Sequence, residues 1–559
     1  MGTVVSVAAP GTLVPAGGEL AVLESMKMQH PILADGPVEV VRVLAAVGET
    51  VAAGAVLLTL RPRPAAAGVS ADVVQYADLT EVRERHVGVL DAARADKLAK
   101  IRARGRRTAR ENLADLVDPG SFVEYGPLAL AAQRRRRSRE ELADMSPADG
   151  LIGGTATVDG QPVVVLSYDY SVLAGTQGMV GHDKTDRLLD IAARRRLPVV
   201  LFAEGGGGRP GDDDRVTTGL TVRTFRAFAQ LRGRVPLVSI VSGRCFAGNA
   251  ALAGTGDIII ATPDAKLGMG GPAMIEGGGL GVVDPDDIGP VEVQTRNGVI
   301  DVLAEDEATA VAVAKQYLGY FRGRSSNWRA PSLEAARRVV PADRLRSYDV
   351  RSALVALADV DSVLELRPLF GRGIVTALAR FEGFAAAVVA NDSRYLGGAI
   401  DAVSAQKATE FLRLCHDFRL PVLSLCDTPG FMIGPDAEKD ASVRRFGDLF
   451  HIGARLDVPT GMIVLRKGYG LGAMAMATGH LQAPLFTVAW PTAELGPMGL
   501  EGAVKLAHRR TLEADPGRFD ELVAAAYEQG KALNAATLNE IDDVIDPAES
   551  RRWIRQLFV

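Results

Sequence analysis

The chain repeats itself at long range. Val158-Asp159-Gly160 recurs as Phe381-Glu382-Gly383, a separation of 383 − 160 = 223 residues. The same separation pairs Asp169 with Asp392, Gly175 with Gly398, Leu197-Pro198-Val199-Val200 with Leu420-Pro421-Val422-Leu423, and Val235-Pro236 with Val458-Pro459. One offset held over so long a stretch makes the second half a copy of the first, so both must adopt one fold. Each copy reads alike: a hairpin strand (163–167 or 385–390), a glycine-bearing loop, a helix (181–195 or 405–417), a buried apolar strand (198–203 or 421–426), another helix and another apolar strand (236–241 or 459–464). Further apolar runs follow at 257–261 and 485–489. Short apolar runs between amphipathic helices predict covered sheets and two tandem α/β domains. A ligand site is expected between copies or between subunits.

A shorter repeat opens the chain. Val4-Val5-Ser6-Val7, with Gly11, Val14 and Gly17, returns as Val40-Val41-Arg42-Val43 with Gly48, Val51 and Gly54. Period-2 runs punctuated by glycine predict a small flattened β barrel. Met26-Lys27 falls at the turn joining the two halves, within Glu24-Ser25-Met26-Lys27-Met28. A tight turn presents that lysine to solvent. After Leu60, the stretch Arg61-Pro62-Arg63-Pro64-Ala65-Ala66-Ala67-Gly68 has the composition of a semi-extended tether.

Bulk properties narrow the class. At 559 residues the chain needs several cores, and 47% apolar with 23% charged residues is ordinary globular composition. A net charge of −5 gives no general reason to expect nucleic acid. Cys245, Cys415 and Cys426 lack the paired spacing of a zinc site or disulfide framework and fit a reducing compartment. No apolar run reaches membrane length and no signal sequence opens the chain. A soluble, cytoplasmic protein is expected. The run Arg134-Arg135-Arg136-Arg137 suits either phosphates, such as the nucleotide end of coenzyme A, or a partner surface.

The chemistry is written in glycine. Glu204-Gly205-Gly206-Gly207-Gly208-Arg209 follows a strand, and no Cβ there blocks a ligand from the main-chain N–H groups. Two such groups aimed at one point stabilise an enolate or tetrahedral oxygen. In the second copy, Arg466-Lys467-Gly468-Tyr469-Gly470-Leu471-Gly472 opens a helix whose N-terminus suits an anion; Gly243-Arg244-Cys245-Phe246-Ala247-Gly248-Asn249 answers it in the first. The seven histidines are scattered, with no HExxH pattern, nucleophile elbow or P-loop, and no metal ligand set is expected. Anion sites without an evident base call for reactants that supply their own base, and carboxybiotin is such a reactant.

Residues 80–559 resemble the carboxyltransferase component of biotin-dependent acyl-CoA carboxylases, whose halves have the crotonase-like fold. The resemblance rests on the glycine run with Arg209, on Leu396-Gly397-Gly398-Ala399-Ile400-Asp401, Asp427-Thr428-Pro429-Gly430, Arg466-Lys467-Gly468-Tyr469-Gly470, Ala489-Trp490-Pro491-Thr492 and Met498-Gly499-Leu500-Glu501-Gly502-Ala503-Val504. Residues 1–60 resemble the biotinyl carrier domain, with biotin on Lys27 attached by a biotin protein ligase. The resemblance implies that acyl-CoA binds the first half and biotin the second half of a neighbouring subunit in a homo-oligomer. It places the acyl-CoA enolate at the N–H groups of Gly206 and Gly207, and biotin at those of Leu471 and Gly472. Many relatives have Gly-Ala where this chain has Leu471-Gly472, and Met474 is placed to shape the acyl pocket.

The domains expected are a carrier (1–60, its first strand missing), a linker (61–78), and transferase halves at 79–335 and 336–559. No segment is left for a biotin carboxylase, so a separate subunit is expected. Alternatives are a biotin-dependent decarboxylase or transcarboxylase, a non-catalytic carrier scaffold, and a hydratase or isomerase of crotonase type.

Overall fold

The computed structural model describes residues 1–64, 77–212, 214 and 219–559. Residues 65–76 of the expected linker lie outside them. The chain forms two compact units, Met1–Val82 and Arg83–Val559.

The first unit is all β. Its strands are β1 (Gly2–Val7), β2 (Leu13–Val14), β3 (Glu19–Ser25), β4 (Met28–Leu33), β5 (Val38–Val43), β6 (Thr50–Val51) and β7 (Leu58–Pro62). They make sheets β4-β3-β1-β6 and β2-β5-β7. Each half lends one short strand to the other, β6 to β1 and β2 to β5. The register slips between Val4 and Ser6 in β1 and again between Val40 and Arg42 in β5, so even the irregularity is duplicated. Val4, Val14, Val40 and Val51, read from the sequence as repeat positions, are all buried. The four-stranded sheet carries β4 outside β3; among the described residues, the three-stranded sheet ends at β7.

The second unit holds the larger repeat. Its first sheet uses β8 (Val123–Glu124), β9 (Leu151–Val158), β10 (Gln161–Tyr168), β11 (Val199–Phe202), β12 (Leu237–Val241), β14 (Ile258–Ala261) and β16 (Val302–Leu303). Two short strands, β13 (Arg244–Phe246) and β15 (Lys266–Gly268), pair beside it. The second sheet uses β17 (Leu364–Leu366), β18 (Ile374–Phe381), β19 (Phe384–Asn391), β20 (Val422–Thr428), β21 (Thr460–Tyr469), β22 (Phe486–Ala489) and β24 (Asp543–Val544), with β23 (Glu494–Gly496) against β21. The orders β16-β14-β12-β11-β10-β9-β8 and β24-β22-β21-β20-β19-β18-β17 correspond strand for strand. In each, a β9–β10 or β18–β19 hairpin is antiparallel and the succeeding strands run parallel. This is the duplicated α/β architecture that the repeat demanded.

The offset of 223 holds through helix α1 (Met179–Arg195) and its copy α3 (Ala402–Phe418), both closed by a left-handed arginine, Arg196 and Arg419. It also carries a buried lysine. Lys184 Nζ donates to Leu151 O (2.5 Å) and Lys407 Nζ to Ile374 O (2.8 Å), where 151 + 223 = 374. Burial pushes these amines down, to about 8 and about 7. At β14 and β22 the offset becomes 486 − 258 = 228, and at β16 and β24 it is 543 − 302 = 241, because the second copy carries extra residues before each of these strands. One apolar core joins the copies, with Val200, Ile260 and Tyr317 in the same cluster as Leu364, Leu412 and Met462.

Candidate active site

Strand β11 delivers the glycine run from the C-terminal edge of the first sheet. Glu204, two residues past its end, is held by a bidentate pair from Arg106: Nη1 to Oε1 at 2.7 Å and Nη2 to Oε2 at 2.8 Å. Burial pushes the Glu204 carboxyl up to about 7 against the pull of that guanidinium. The strip then runs like a strand. Gly207 O accepts from Gln177 N (2.7 Å), and Arg209 N donates to Gln177 O (2.9 Å). Gly205 and Gly207 face inward and are buried, while Gly206 and Gly208 are exposed.

The two inward glycines are sterically required. Gly207 has φ +89°, and a Cβ on it would lie 2.6 Å from Ala247 Cβ. The outward ones are not: nothing lies within 4 Å of a Cβ on Gly208. A bare main chain facing solvent without steric need fits a ligand-binding surface. Just beyond, Arg209 buries its side chain on Asp149, with Nη2 donating to Thr176 O (2.9 Å) and Nε to Thr176 Oγ1 (3.2 Å). Asp149 also accepts from Gly181 N at 2.6 Å in the first turn of α1.

The start of helix α2 (Gly248–Thr255) closes the site. Its N-cap, Ala247, takes the strained angles φ 50°, ψ −118°. In the second copy the equivalent position is Gly470 (φ +55°), at the start of helix α4 (Gly470–Met476). There Asp427, the counterpart of Glu204 (204 + 223 = 427), accepts from Arg466 Nη2 and Lys467 N, each at 3.1 Å. Gly430 O accepts from Ile400 N (3.0 Å) and Met432 N donates to Ile400 O (2.8 Å), repeating the Gln177 seam.

The residues expected from the sequence fall as follows. Gly206 and Gly207 lie in the strip, but their amides point into the fold, to Ala174 O (3.1 Å) and Asn249 Oδ1 (2.9 Å). Among the described residues, the Gly208 amide has no acceptor. Leu471 and Gly472 sit in the first turn of α4, where helical amides lack internal acceptors. Leu471 is exposed; Gly472 is buried, and a Cβ on it would lie 2.7 Å from Gly430 Cα. The arginine run packs on the loop after the strip: Arg135 N donates to Asp214 Oδ1 (3.3 Å), and Arg136 Nη2 to Gly211 O. Reading the sequence missed the anchors Arg106 and Asp149, whose partners are remote in sequence; Glu204 and Asn249 were quoted only as the ends of glycine-bearing stretches, with no role, although the offset that pairs Glu204 with Asp427 could have marked the acid.

Lys27 occupies the two-residue turn between β3 and β4. Met26 and Lys27 both have positive φ (54° and 65°), as a type I′ hairpin turn requires. The register closes at Ser25 opposite Met28. Met26 is 94% exposed, and Lys27 and Met28 are exposed beside it. An unpacked lysine on a rigid hairpin tip fits a covalently carried group such as biotin.

Two tandem glycine-lined helix starts on duplicated α/β sheets, together with an exposed hairpin lysine in a separate β unit, are the parts of a group-transfer enzyme that carries a covalent prosthetic group. The chain belongs to the carboxyl transferase domain family, which matches residues 100–557, and its residues 1–60 match the family of biotin-requiring enzymes. It is 32% identical to the methylmalonyl-CoA carboxyltransferase 12S subunit of Propionibacterium freudenreichii, over 82% of this chain and 89% of that one. It is 30% identical to the biotin-dependent long chain acyl-coenzyme A carboxylase beta4 subunit of Mycobacterium tuberculosis, over 86% and 93%. Among solved structures, a single-chain, multi-domain long-chain acyl-CoA carboxylase is 61% identical, with a TM-score of 0.84 over all of this chain. This chain spans 55% of that protein's length. The transcarboxylase 12S structure, described as a hexamer with methylmalonyl-CoA bound, gives a TM-score of 0.75 at 28% identity, covering 87% of this chain and 95% of that one.

Proposed function

We propose that this chain carries biotin on Lys27 and transfers a carboxyl group from it to the α carbon of an acyl-CoA. The observation that carries this reading is the exposed main chain of Gly206 and Gly208 beside the start of α2; at the corresponding helix start of the second copy Leu471 is exposed, while Gly430 and Gly472 are buried against each other. Biotin, when bound, supplies the carboxyl group on its ureido ring and accepts the α proton in exchange. The exposed face of the strip at Gly206 and Gly208, where the Gly208 amide has no internal acceptor among the described residues, and the start of α2 receive the thioester oxygen as it gains enolate charge. Leu471 and Gly472 present helix N-terminal amides, and the favourable end of the helix dipole, to the second oxyanion. Neither task needs a titrating side chain, consistent with the scattered histidines.

In this reading the halves 79–335 and 336–559 follow the two copies, and the enzyme is a homo-oligomer with its sites between subunits. It works in the cytoplasm, and among the described residues no helix is long and apolar enough to cross a membrane. A biotin protein ligase modifies Lys27, and a separate biotin carboxylase subunit loads it. The 61% identity to a single-chain carboxylase favours a second reading, in which the carboxylase is fused to this polypeptide. A blot for protein-bound biotin in native extract separates them: a band near 59.0 kDa fits the separate subunit, a much larger one the fusion. The relative that is a methylmalonyl-CoA carboxyltransferase keeps a transcarboxylase in view. The deciding experiment supplies ATP, labelled bicarbonate, biotin carboxylase and a panel of acyl-CoAs. Label must enter the acyl-CoA with Lys27 intact and fail to enter with Lys27→Ala; transfer without Lys27 would overturn the carrier role.

A further inference from the structure

We propose that Asn249 is a positioning residue that fixes the glycine strip of the first copy, and that the second copy has no equivalent. The inference rests on the transferase reading. Asn249 is fully buried in the first turn of α2, and its planar amide reaches three main-chain groups in two segments. Its Oδ1 accepts from Gly207 N at 2.9 Å. Its Nδ2 faces Gly175 O at 3.4 Å, in the loop after β10, and Glu204 O at 3.5 Å, at the head of the strip. One acceptor and two donors are the full complement of a side-chain amide used this way, and no other residue type of that size supplies both.

The second copy shows what the side chain replaces. The equivalent position is 249 + 223 = 472, which is Gly472. There α4 approaches Gly430 main chain to main chain, too close for a Cβ, which would lie 2.7 Å from Gly430 Cα. The Gly430 amide, counterpart of Gly207, is satisfied locally by Thr428 Oγ1 at 3.2 Å. The second site is therefore set by backbone packing, and the first by a removable side chain. Without Asn249, the Gly207 N–H is left buried with no acceptor, and the peptide planes from 205 to 208 lose the contact that sets their tilt. Those planes determine where the exposed face of the strip meets the ligand.

The test compares Asn249→Ala with Leu252→Ala in the biotinylated protein. Leu252, 1% exposed on the same helix, packs only in the apolar core and reports simple destabilisation. For Asn249→Ala the expected result is a fall in kcat of about 10- to 100-fold, as a misplaced site produces, with KM for the acyl-CoA unchanged. Amide hydrogen exchange in peptides spanning 203–210 should accelerate. Leu252→Ala should lower the melting temperature while leaving kcat and exchange at the strip as in the wild type. Unchanged kcat in folded Asn249→Ala, or equal losses in both variants, overturns the inference. If the wild type transfers carboxyl to no acyl-CoA, the functional reading fails instead, and exchange alone decides: an unaltered rate at 203–210 refutes the positioning role.

Discussion

A single methyl group at Gly206 should separate function from folding. Gly206 is exposed, its backbone is not left-handed, and a Cβ there meets only Thr176 Cγ2 at 3.3 Å and Ala174 O at 3.8 Å. Replacing glycine by alanine at a compatible backbone position gains about 0.4–1 kcal/mol through the unfolded chain, which offsets the slightly tight contact. Gly206→Ala should therefore melt close to the wild type. Its methyl nonetheless stands where a thioester oxygen must approach the strip, and losing that alignment should reduce transfer by about 100-fold or more. Gly207→Ala is the contrast. At φ +89° the left-handed backbone costs an alanine about 1–2 kcal/mol. A Cβ 2.6 Å from Ala247 Cβ adds an overpacking penalty of about 1–3 kcal/mol, so this variant should lose both stability and activity. Thermal unfolding and transfer of labelled carboxyl to acyl-CoA, measured on both variants, give the answer. Wild-type transfer by Gly206→Ala would refute the placement of the ligand on this strip, and wild-type stability of Gly207→Ala would refute the packing.

Three other outcomes follow from the geometry. Coexpression with biotin ligase should raise the intact mass by one biotin, and Lys27→Ala should abolish the increase; a modified mutant would locate the carrier elsewhere. Replacing Leu471 by its α-hydroxy analogue removes one N–H while keeping the exposed side chain, and should lower kcat about 100-fold if that amide holds an oxyanion; an unchanged rate would exclude it. Asp257 is buried beside Leu237 N (2.8 Å), and burial pushes its carboxyl from 3.8 up to about 7. The folded state thus holds this proton more tightly, so the contribution of Asp257 to stability falls as pH rises from about 4 to about 7. Relative to the wild type, Asp257→Asn should gain melting temperature across that interval; a constant difference would show that the carboxyl titrates normally.

Much of the architecture was legible because a duplication constrains twice. The spacing of Gly160 from Gly383 is enough to align β9 with β18 and α1 with α3, residue for residue. The constant offset failed at the insertion before β22 and at the outer strands, where β8 and β17 and also β16 and β24 are 241 residues apart, changes that surface turns absorb. The turn at Lys27 was legible for another reason: two residues between alternating strands admit few geometries. The direction of the strip's amides was not. Four successive glycines announce an open main chain, but whether an N–H points to solvent or to Ala174 O depends on the tilt of each peptide plane. Nor were the anchors legible, since Arg106 meets Glu204 across 98 residues and Arg209 meets Asp149 across 60.

Those anchors also show where the copies parted. The framework is kept on both sides: the seams at Gln177 and Ile400, the buried Lys184 and Lys407, and the acids Glu204 and Asp427 at the head of each site. The clamps are not. Adding 223 to Asp149 and Arg209 gives Arg372 and Met432, so the buried ion pair behind the first strip has no counterpart. Adding it to Asn249 gives Gly472. The sheets and helices determine that each copy brings a glycine-bearing main chain up to a helix start, exposed in the first copy at Gly206 and Gly208 and buried in the second at Gly430. The side chains behind that main chain determine how rigidly it is held. The first site is pinned by a buried ion pair and an amide, whereas the second is formed by glycine packed against glycine. Exchanging the pins should alter the two half-reactions unequally, although the two sheets are copies of one another.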